Sequence, residues 1–331
     1  MGHAGRGTVV PWSRAMRVTE VDLRRASRAG SVHGVRVLVT GSRGFVGPWL
    51  ARHLVECGDE VVELPGSTDV TDAGSLADAV REAEPEAVCH LAAQSSVAAS
   101  WADPVGTFGV NALGTLNLCQ ALVGASRSGT FPRVLLVSSS EVYGRVEPAR
   151  MPVREEQPFA PVTPYAARKA AAEMVGLQWW LGRGLPVVVA RAFNHTGPGQ
   201  AQGFVVPDLA AQVVKAARGE LDRVVTGNLA ARRDITDVRD VVRAYRLLLS
   251  LGRPGEAYNV CRGEAVLLSD LLDRLMELAG ADVPTSVDPA RARPADVPVH
   301  VGDPTKVRDL TGWQPSVGLD QTLDDVLASL G

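Results

Sequence analysis

The segment Val35-Arg36-Val37-Leu38-Val39-Thr40-Gly41-Ser42-Arg43-Gly44-Phe45-Val46-Gly47 decides the fold. Its first residues form a short β-branched run, which predicts a strand. The glycines that follow are spaced G-x-x-G-x-x-G, and a helical pattern then continues to Cys57. A strand, a glycine turn and a helix in that order bring backbone close to a pyrophosphate, which meets the unpaired N–H groups and positive dipole end of the helix. The turn residues Gly41, Arg43, Gly44, Phe45, Val46 and Gly47 are therefore candidates to bind a dinucleotide.

Working outward, apolar runs at Glu60 to Leu64, Ala87 to Ala92, Arg133 to Ser138 and Pro186 to Phe193 read as further strands. Helical stretches around Gly74 to Ala83, Val105 to Ala125 and Tyr165 to Leu181 separate them. Buried runs without alternation, interleaved with helices, are what a parallel sheet covered on both faces produces. The expected fold is α/β, a doubly wound parallel sheet of Rossmann type. Pro65 to Asp72 leave little room for another full strand before the next helix. Beyond residue 194 glycine and proline punctuation loosens the pattern. Helices expected at Pro207 to Arg218, Val238 to Leu251, Leu268 to Ala279 and Leu319 to Leu330 would build a smaller C-terminal lobe over the strand ends. The expected organisation is an extension over 1–33, a dinucleotide-binding domain over 34–193 and a lobe over 194–331. The first stretch is Arg-rich without the apolar core of a secretory signal, and reads as a poorly ordered extension or an over-long start with Met16 as alternative initiator.

Composition narrows the function classes. The chain has 331 residues, 46% apolar and 21% charged, with a formal net charge of −3, which is the ordinary globular class rather than the disordered or collagenous one. Lys and Arg number 34 against 37 acids, so the basic excess of a nucleic-acid partner is missing. Cys57, Cys89, Cys119 and Cys261 are scattered, with no C-x-x-C pair, and read as reduced, buried thiols of a cytoplasmic protein; no metal site is expected. No continuous apolar run has the length of a membrane span.

The chemistry comes from a second constellation. The strand from Arg133 runs into Ser138-Ser139-Ser140-Glu141-Val142-Tyr143-Gly144, and Pro164-Tyr165-Ala166-Ala167-Arg168-Lys169 then opens a helix. Tyr165 and Lys169 are four apart and share a helix face. A phenol with an ordinary pKa near 10 is a poor acid–base catalyst at neutral pH, and an ammonium one turn away favours its phenolate. A hydroxyl at the strand end completes a set suited to a carbonyl substrate. Cofactor choice is read at the end of the second strand, where an acid would bind a ribose diol. Leu64-Pro65-Gly66 stand there, and Arg43 suits a 2′-phosphate, so NADP is expected, with NAD as the other option. Asp69 and Val70 follow as adenine contacts, Asp69 serving equally well as a helix cap.

These residues resemble the short-chain dehydrogenase/reductase superfamily in its extended branch, which acts on nucleotide sugars. The resemblance runs from about Val35 to the C-terminus. Asn111-Ala112-Leu113-Gly114-Thr115 looks like the family's Asn on the supporting helix, and His90 to Val97, with Leu91, Ala92, Ala93, Ser95 and Ser96, like the loop passing nicotinamide and hexose. Arg191 to Gln200, Gly203-Phe204-Val205, Val225 to Leu229, Arg233 to Asp240 and Arg293 to Pro298 are similar to the GDP-sugar subgroup, most of all to its 4-keto-6-deoxy-hexose reductases. The resemblance implies that Asn194, Phe204, Val205, Asn228 and Ser140 contact the substrate, that Arg233 neutralises its diphosphate, and that Arg293 with Asp296 grips phosphate and ribose. Asp296 stands where the pattern has Glu, one methylene shorter. Two arginines suit two phosphates independently of any resemblance. His195 reads as a packed, hydrogen-bonded histidine. A homodimer formed through the two long flanking helices is implied as well.

Two reactions fit. In a reductase, Tyr165 gives a proton to the C4 carbonyl oxygen, Ser139 stabilises that oxygen, and Lys169 tunes Tyr165 and holds the nicotinamide ribose. In a GDP-mannose 4,6-dehydratase using tightly bound NADP, Glu141 stands where the C5 base would be. A different nucleotide-sugar epimerase or dehydratase, or a non-catalytic binding protein of the same fold, are further alternatives; an intact Ser139, Tyr165 and Lys169 argues against the last.

Overall fold

The computed structural model describes residues 34–126, 129–289 and 297–331. The segment 1–33 and the expected clamp residues Arg293 and Asp296 lie outside the described residues. The main sheet is built from β1 (Arg36–Thr40), β2 (Glu60–Glu63), β3 (Ala87–His90), β4 (Arg133–Ser139), β5 (Val187–Ala192) and β9 (Ala257–Val260), in the order β2-β1-β3-β4-β5-β9. All of its pairings are parallel. The order turns back on itself between β1 and β3, so their C-terminal ends flank the crevice where such sheets bind ligands. No strand occupies Pro65 to Asp72, and the chain passes straight from β2 to the next helix.

Alternation along β1 assigns the layers. Val37 and Val39 pack with Leu50 and Leu54 of α1 (Val46–Glu56) and with Val241, Tyr245 and Leu248 of α8 (Val238–Leu251). Leu38 packs on the opposite face with Leu76 and Val80 of α2 (Ala73–Ala83) and Leu118 and Leu122 of α5 (Gly114–Ala125). Burying a Leu or Val side chain contributes about 1.5–3 kcal/mol, so both faces of the strand anchor it.

The stretch read as one helix from Val105 is divided. After α3 (Val97–Ala102), α4 (Pro104–Phe108) passes through a π-helical turn at Gly109–Leu113 into α5. The run Pro104–Ala125 has 22 residues, and its most apolar 18-residue window has a mean hydropathy of 1.2 and is half buried within the protein. Helix α6 (Pro164–Arg183) starts where the Thr163 hydroxyl accepts from Ala166 N at 3.1 Å and Pro164 sets the first turn.

The remaining elements are β6 (Asn194–Thr196), α7 (Val205–Ala217), β7 (Val224–Thr226), β8 (Arg232–Asp237), β10 (Ala265–Leu267), α9 (Leu268–Ala279), β11 (Thr285–Val287), β12 (Val299–His300), α10 (Thr305–Thr311) and α11 (Leu319–Ala328). β10, β8 and β12 form a second sheet, with β6 also on β8, and β11 pairs with β7. Helices α7, α9 and α11 share a separate core around Leu209, Leu272 and Leu323. The chain beyond residue 194 also supplies β9 and α8 to the main sheet and its cover. All four cysteines are free; Cys89, Cys119 and Cys261 are buried as expected, whereas Cys57 is only half-buried because it ends α1 at the surface.

Candidate active site

The glycine turn has the dimensions of a phosphate cradle. Gly41 has φ +73°, and a Cβ there would lie 2.7 Å from Ala92 N, so the backbone ends of β1 and β3 meet at glycine only. A Cβ on Gly47 would lie 2.0 Å from Ser42 O, so the helix packs against the turn only with glycine there. Phe45 precedes α1 without a side-chain cap, and no acid stands in the first helical turn; Pro48 has no N–H and the Gly47 N–H donates to Gly44 O at 3.2 Å, so the anion would be met by the N–H groups of Phe45 and Val46. These features fit the pyrophosphate of a dinucleotide.

The adenosine end corrects one reading. The second strand ends at Glu63, a residue earlier than read, and the Glu63 carboxylate accepts from Ser42 Oγ at 2.9 Å. An acid is therefore present beside the turn. Arg43 also bears on this corner: its guanidinium lies against Gly66, where a Cβ would come 2.2 Å from Nη2. The Asp69 carboxylate accepts from Thr71 N at 2.8 Å, and Asp72 caps α2; Val70 is buried in the core.

The loop after β3 is pinned from the π-helical turn. Asn111 Oδ1 accepts from Gln94 N at 2.8 Å and its Nδ2 donates to Gln94 O at 3.1 Å, fixing the stretch that carries Leu91, Ala92 and Ala93. Beneath it is a chain that sequence reading missed. Thr40 Oγ1 and His90 Nδ1 share a hydrogen bond of 2.7 Å, His90 Nε2 and Thr115 Oγ1 one of 3.1 Å, and Thr115 donates to Asn111 O at 2.7 Å. Burial pushes His90 down to about 3, with the Lys169 charge adding to the effect, so the ring is neutral.

Ser139, Tyr165 and Lys169 converge at the end of β4. Tyr165 is hydrogen-bonded to Ser139, and Lys169 Nζ donates to Val137 O at 2.7 Å. Burial pushes the Tyr165 phenol up to about 12, opposed by the Ser139 hydrogen bond and the Arg168 charge and reinforced by Glu141. Burial also pushes Lys169 down to about 8, with Glu173 opposing and Arg168 adding. Desolvation outweighs the Ser139 hydrogen bond and the Arg168 charge, so Tyr165 is held as a neutral phenol, the state that can donate a proton.

Next to this set opens a cavity of about 1010 Å³. Glu141, Asn194, Phe204, Val205, Asn228 and Arg233 line it. Arg233 Nη1 donates to Val297 O at 2.7 Å, which anchors the guanidinium in the wall. Ser95, Ser96 and Ser140 are not in its lining: Ser96 caps α3 by accepting from Ala99 N at 3.2 Å, and Ser140 is buried. Trp101, Thr163, Thr196, Gln200 and His300 line the cavity without having been singled out. His195, also in the wall, stacks on Phe45 at 6.2 Å, and its Nδ1 bonds to Phe193 O at 2.9 Å, as a packed histidine should.

A glycine cradle at the switch point of a parallel sheet, with Ser, Tyr and Lys at the next strand ends and a roomy cavity beyond, defines an extended short-chain dehydrogenase/reductase. The family model described as GDP-mannose 4,6 dehydratase matches residues 64–326, and the chain belongs to that family. A GDP-6-deoxy-D-mannose reductase of Pseudomonas aeruginosa is 40% identical over 296 residues, covering 88% of this chain and 96% of that protein. A GDP-mannose 4,6-dehydratase of Yersinia enterocolitica is 27% identical over 350 residues, covering 88% and 93%. Among solved structures, RMD from Pseudomonas aeruginosa complexed with NADPH matches with a TM-score of 0.83 and 38% identity, covering 89% of this chain and 98% of that one.

Proposed function

We propose that this protein is a cytoplasmic, NADPH-dependent reductase of the C4 keto group of a GDP-4-keto-6-deoxy-hexose, giving a GDP-rhamnose-type product. The observation that carries the reading is the Ser139–Tyr165–Lys169 set, whose chain neighbours Glu141 and Thr163 line a cavity shared with Asn194, Asn228 and Arg233. The 40% identity to a GDP-6-deoxy-D-mannose reductase over nearly that protein's whole length supports the substrate class. The NADPH in the similar RMD structure supports the cofactor, as does Arg43 beside Gly66.

The glycine turn, Leu91 to Ala93, Tyr165 and Lys169 would hold the nicotinamide cofactor, which when bound supplies the hydride. Tyr165 gives its phenolic proton to the carbonyl oxygen as that oxygen gains charge, and Ser139 donates a second hydrogen bond to it. Lys169 stands behind Tyr165 as an ammonium, easing the departure of that proton. Arg233 offers guanidinium N–H groups to the diphosphate, the arrangement in which an arginine holds an anion most firmly. Apolar residues exposed on the helices beside the site, among them Trp101, Val105, Phe108, Leu113 and Met174, support a homodimer through that face. The free cysteines suit a reducing compartment.

One observation favours a second reading. Glu141 is in the cavity wall and its N–H donates to Ser139 Oγ at 3.2 Å, within the neighbourhood a C5 base of a 4,6-dehydratase needs. The experiment is incubation with GDP-4-keto-6-deoxy-mannose and NADPH, and separately with GDP-mannose and NADP, following products by mass. Stoichiometric NADPH oxidation by the keto-sugar is expected. Loss of water from GDP-mannose without net cofactor consumption overturns the reductase in favour of Glu141 as base.

A further inference from the structure

Tyr165, Lys169 and Glu173 recur every four residues along α6 and so lie on one face. Each meets a different residue of the last turn of β4. Tyr165 bonds to Ser139, Lys169 donates to Val137 O, and Ser138 Oγ donates to Glu173 Oε1 in a short hydrogen bond. Helix and strand are thus held by three rungs, and only the first two belong to the catalytic set. Glu173 is 3% exposed. Its second partner comes from β5: Arg191, the register neighbour of Ser138, donates Nη2 to Oε2 at 2.9 Å and Nε to both carboxylate oxygens at 3.1 and 3.2 Å. Arg191 also donates Nη1 to Tyr143 Oη at 3.0 Å and Glu155 O at 2.9 Å, which ties the pair to the turn carrying Glu141.

A buried ion pair is a weak device for stability, because desolvation of both charges cancels most of their attraction. A reason for this carboxylate lies in its neighbour. Lys169 is buried, and the charged or titratable groups around it are Tyr165, Arg168 and Glu173 on its own helix and His90 on β3, with Arg191 reached through Glu173. His90 is neutral and Arg168 is a like charge. With Tyr165 a neutral phenol, Glu173 is the one carboxylate in this set.

We propose that Glu173 is a positioning residue: it fixes the end of β4 against the catalytic helix and supplies the negative charge that keeps buried Lys169 an ammonium through neutral pH. The kinetic consequence rests on the reductase reading; the charge effect does not. Arg191 then serves to hold the Glu173 carboxylate correctly turned.

The chain has only three lysines, Lys169, Lys215 and Lys306, so protein labelled with ¹³C at lysine Cε gives three signals, assigned by Lys215→Arg and Lys306→Arg. In Glu173→Gln the Lys169 titration midpoint is expected to fall by about 1 pH unit, the size of losing a neighbouring opposite charge one helical turn away. Glu173→Asp, which keeps the charge, should restore it. If Glu173→Gln does not fold, Glu173→Gln with Arg191→Met removes the buried pair together and is expected to shift the midpoint in the same direction. The alkaline limb of the kcat profile should move with the midpoint. A Lys169 midpoint unchanged in a folded variant lacking the Glu173 carboxylate overturns the proposal, whatever happens to melting temperature. A wild-type protein that fails to reduce the keto-sugar overturns the reductase reading instead, and the titration still decides the part played by Glu173.

Discussion

From Thr40 to Gly47 the protein works with backbone: glycines that admit no Cβ, an uncapped helix start, and one strand end lying on another. Across the site, the cavity wall works with side chains gathered from Val97 to His300, far apart along the chain. The first region suits what all dinucleotides share, a pyrophosphate, which asks mainly for close-approaching backbone and free N–H groups. The second must tell one sugar nucleotide from others, which takes hydroxyls, amides and guanidinium groups placed singly. Between the two lies α6, which presents Tyr165 and Lys169 to both.

Substitutions should therefore separate into classes, and the largest effect belongs to the helix between. Tyr165→Phe removes the proposed proton donor and leaves ring and packing in place. Steady-state reduction of the keto-sugar should fall about 10²–10⁴-fold, while affinities for NADPH and for GDP, measured by calorimetry, stay near wild type. A loss under tenfold would mean that another group supplies the proton.

Arg233→Met tests the side-chain half. Charge-assisted hydrogen bonds to an anion are worth about 1.5–3 kcal/mol, so KM for the nucleotide sugar should rise roughly 10- to 100-fold, with KM for NADPH unchanged. If both constants rise together, the division between a backbone-built and a side-chain-built half does not hold.

His90 probes the backbone half from below, where its ring bridges Thr40 and Thr115. The unfolded chain binds a proton at His90 near pH 6.5, whereas the folded protein resists doing so until about 3, so stability is lost as pH falls through that window. By pH 5 the loss should reach about 2 kcal/mol. Thermal unfolding across this range should show a steeper acid slope in wild type than in His90→Gln, and equal slopes would assign the acid sensitivity to other groups.

What could be read in advance follows the same division. The glycine turn and the Tyr165–Lys169 spacing are local patterns, each complete within a few residues, and they were legible. The Thr40–His90–Thr115 chain was not: its members are 50 and 25 residues apart and meet only because β1 pairs with β3 and the π-helical turn packs beneath. His300 enters the cavity through the pairing of β12 with β8, a contact between short strands with no strong periodicity. The helical stretch from Val105 was legible as helix but not as broken. Gly109–Leu113, with a single glycine, carries no proline to announce the π-helical turn that turns Asn111 toward Gln94. Glu63 was missed by strand parity. With the strand ending one residue early, the side chain of its last residue reaches back to Ser42, so the acid sits before the position at which an acid was sought.

That acid sets the finest test of the comparison, because Glu63 and Arg43 are side chains working at the edge of the backbone-built half. Arg43 against Gly66 favours a 2′-phosphate, while the Glu63 carboxylate, held by Ser42, opposes one and favours a free 2′-hydroxyl. The two pull the cofactor preference in opposite directions. Both are near solvent, where a pair of charges several ångströms apart interacts by only about 0.5–1 kcal/mol. Glu63→Gln should therefore lower KM for NADPH about threefold and raise KM for NADH by a similar factor through loss of an acceptor for the ribose hydroxyl. The NADPH shift should shrink in high salt, where charges near solvent are screened. If both constants move the same way, Glu63 shapes the turn through Ser42 rather than reading the ribose, and the turn is then built for its ligand by backbone alone.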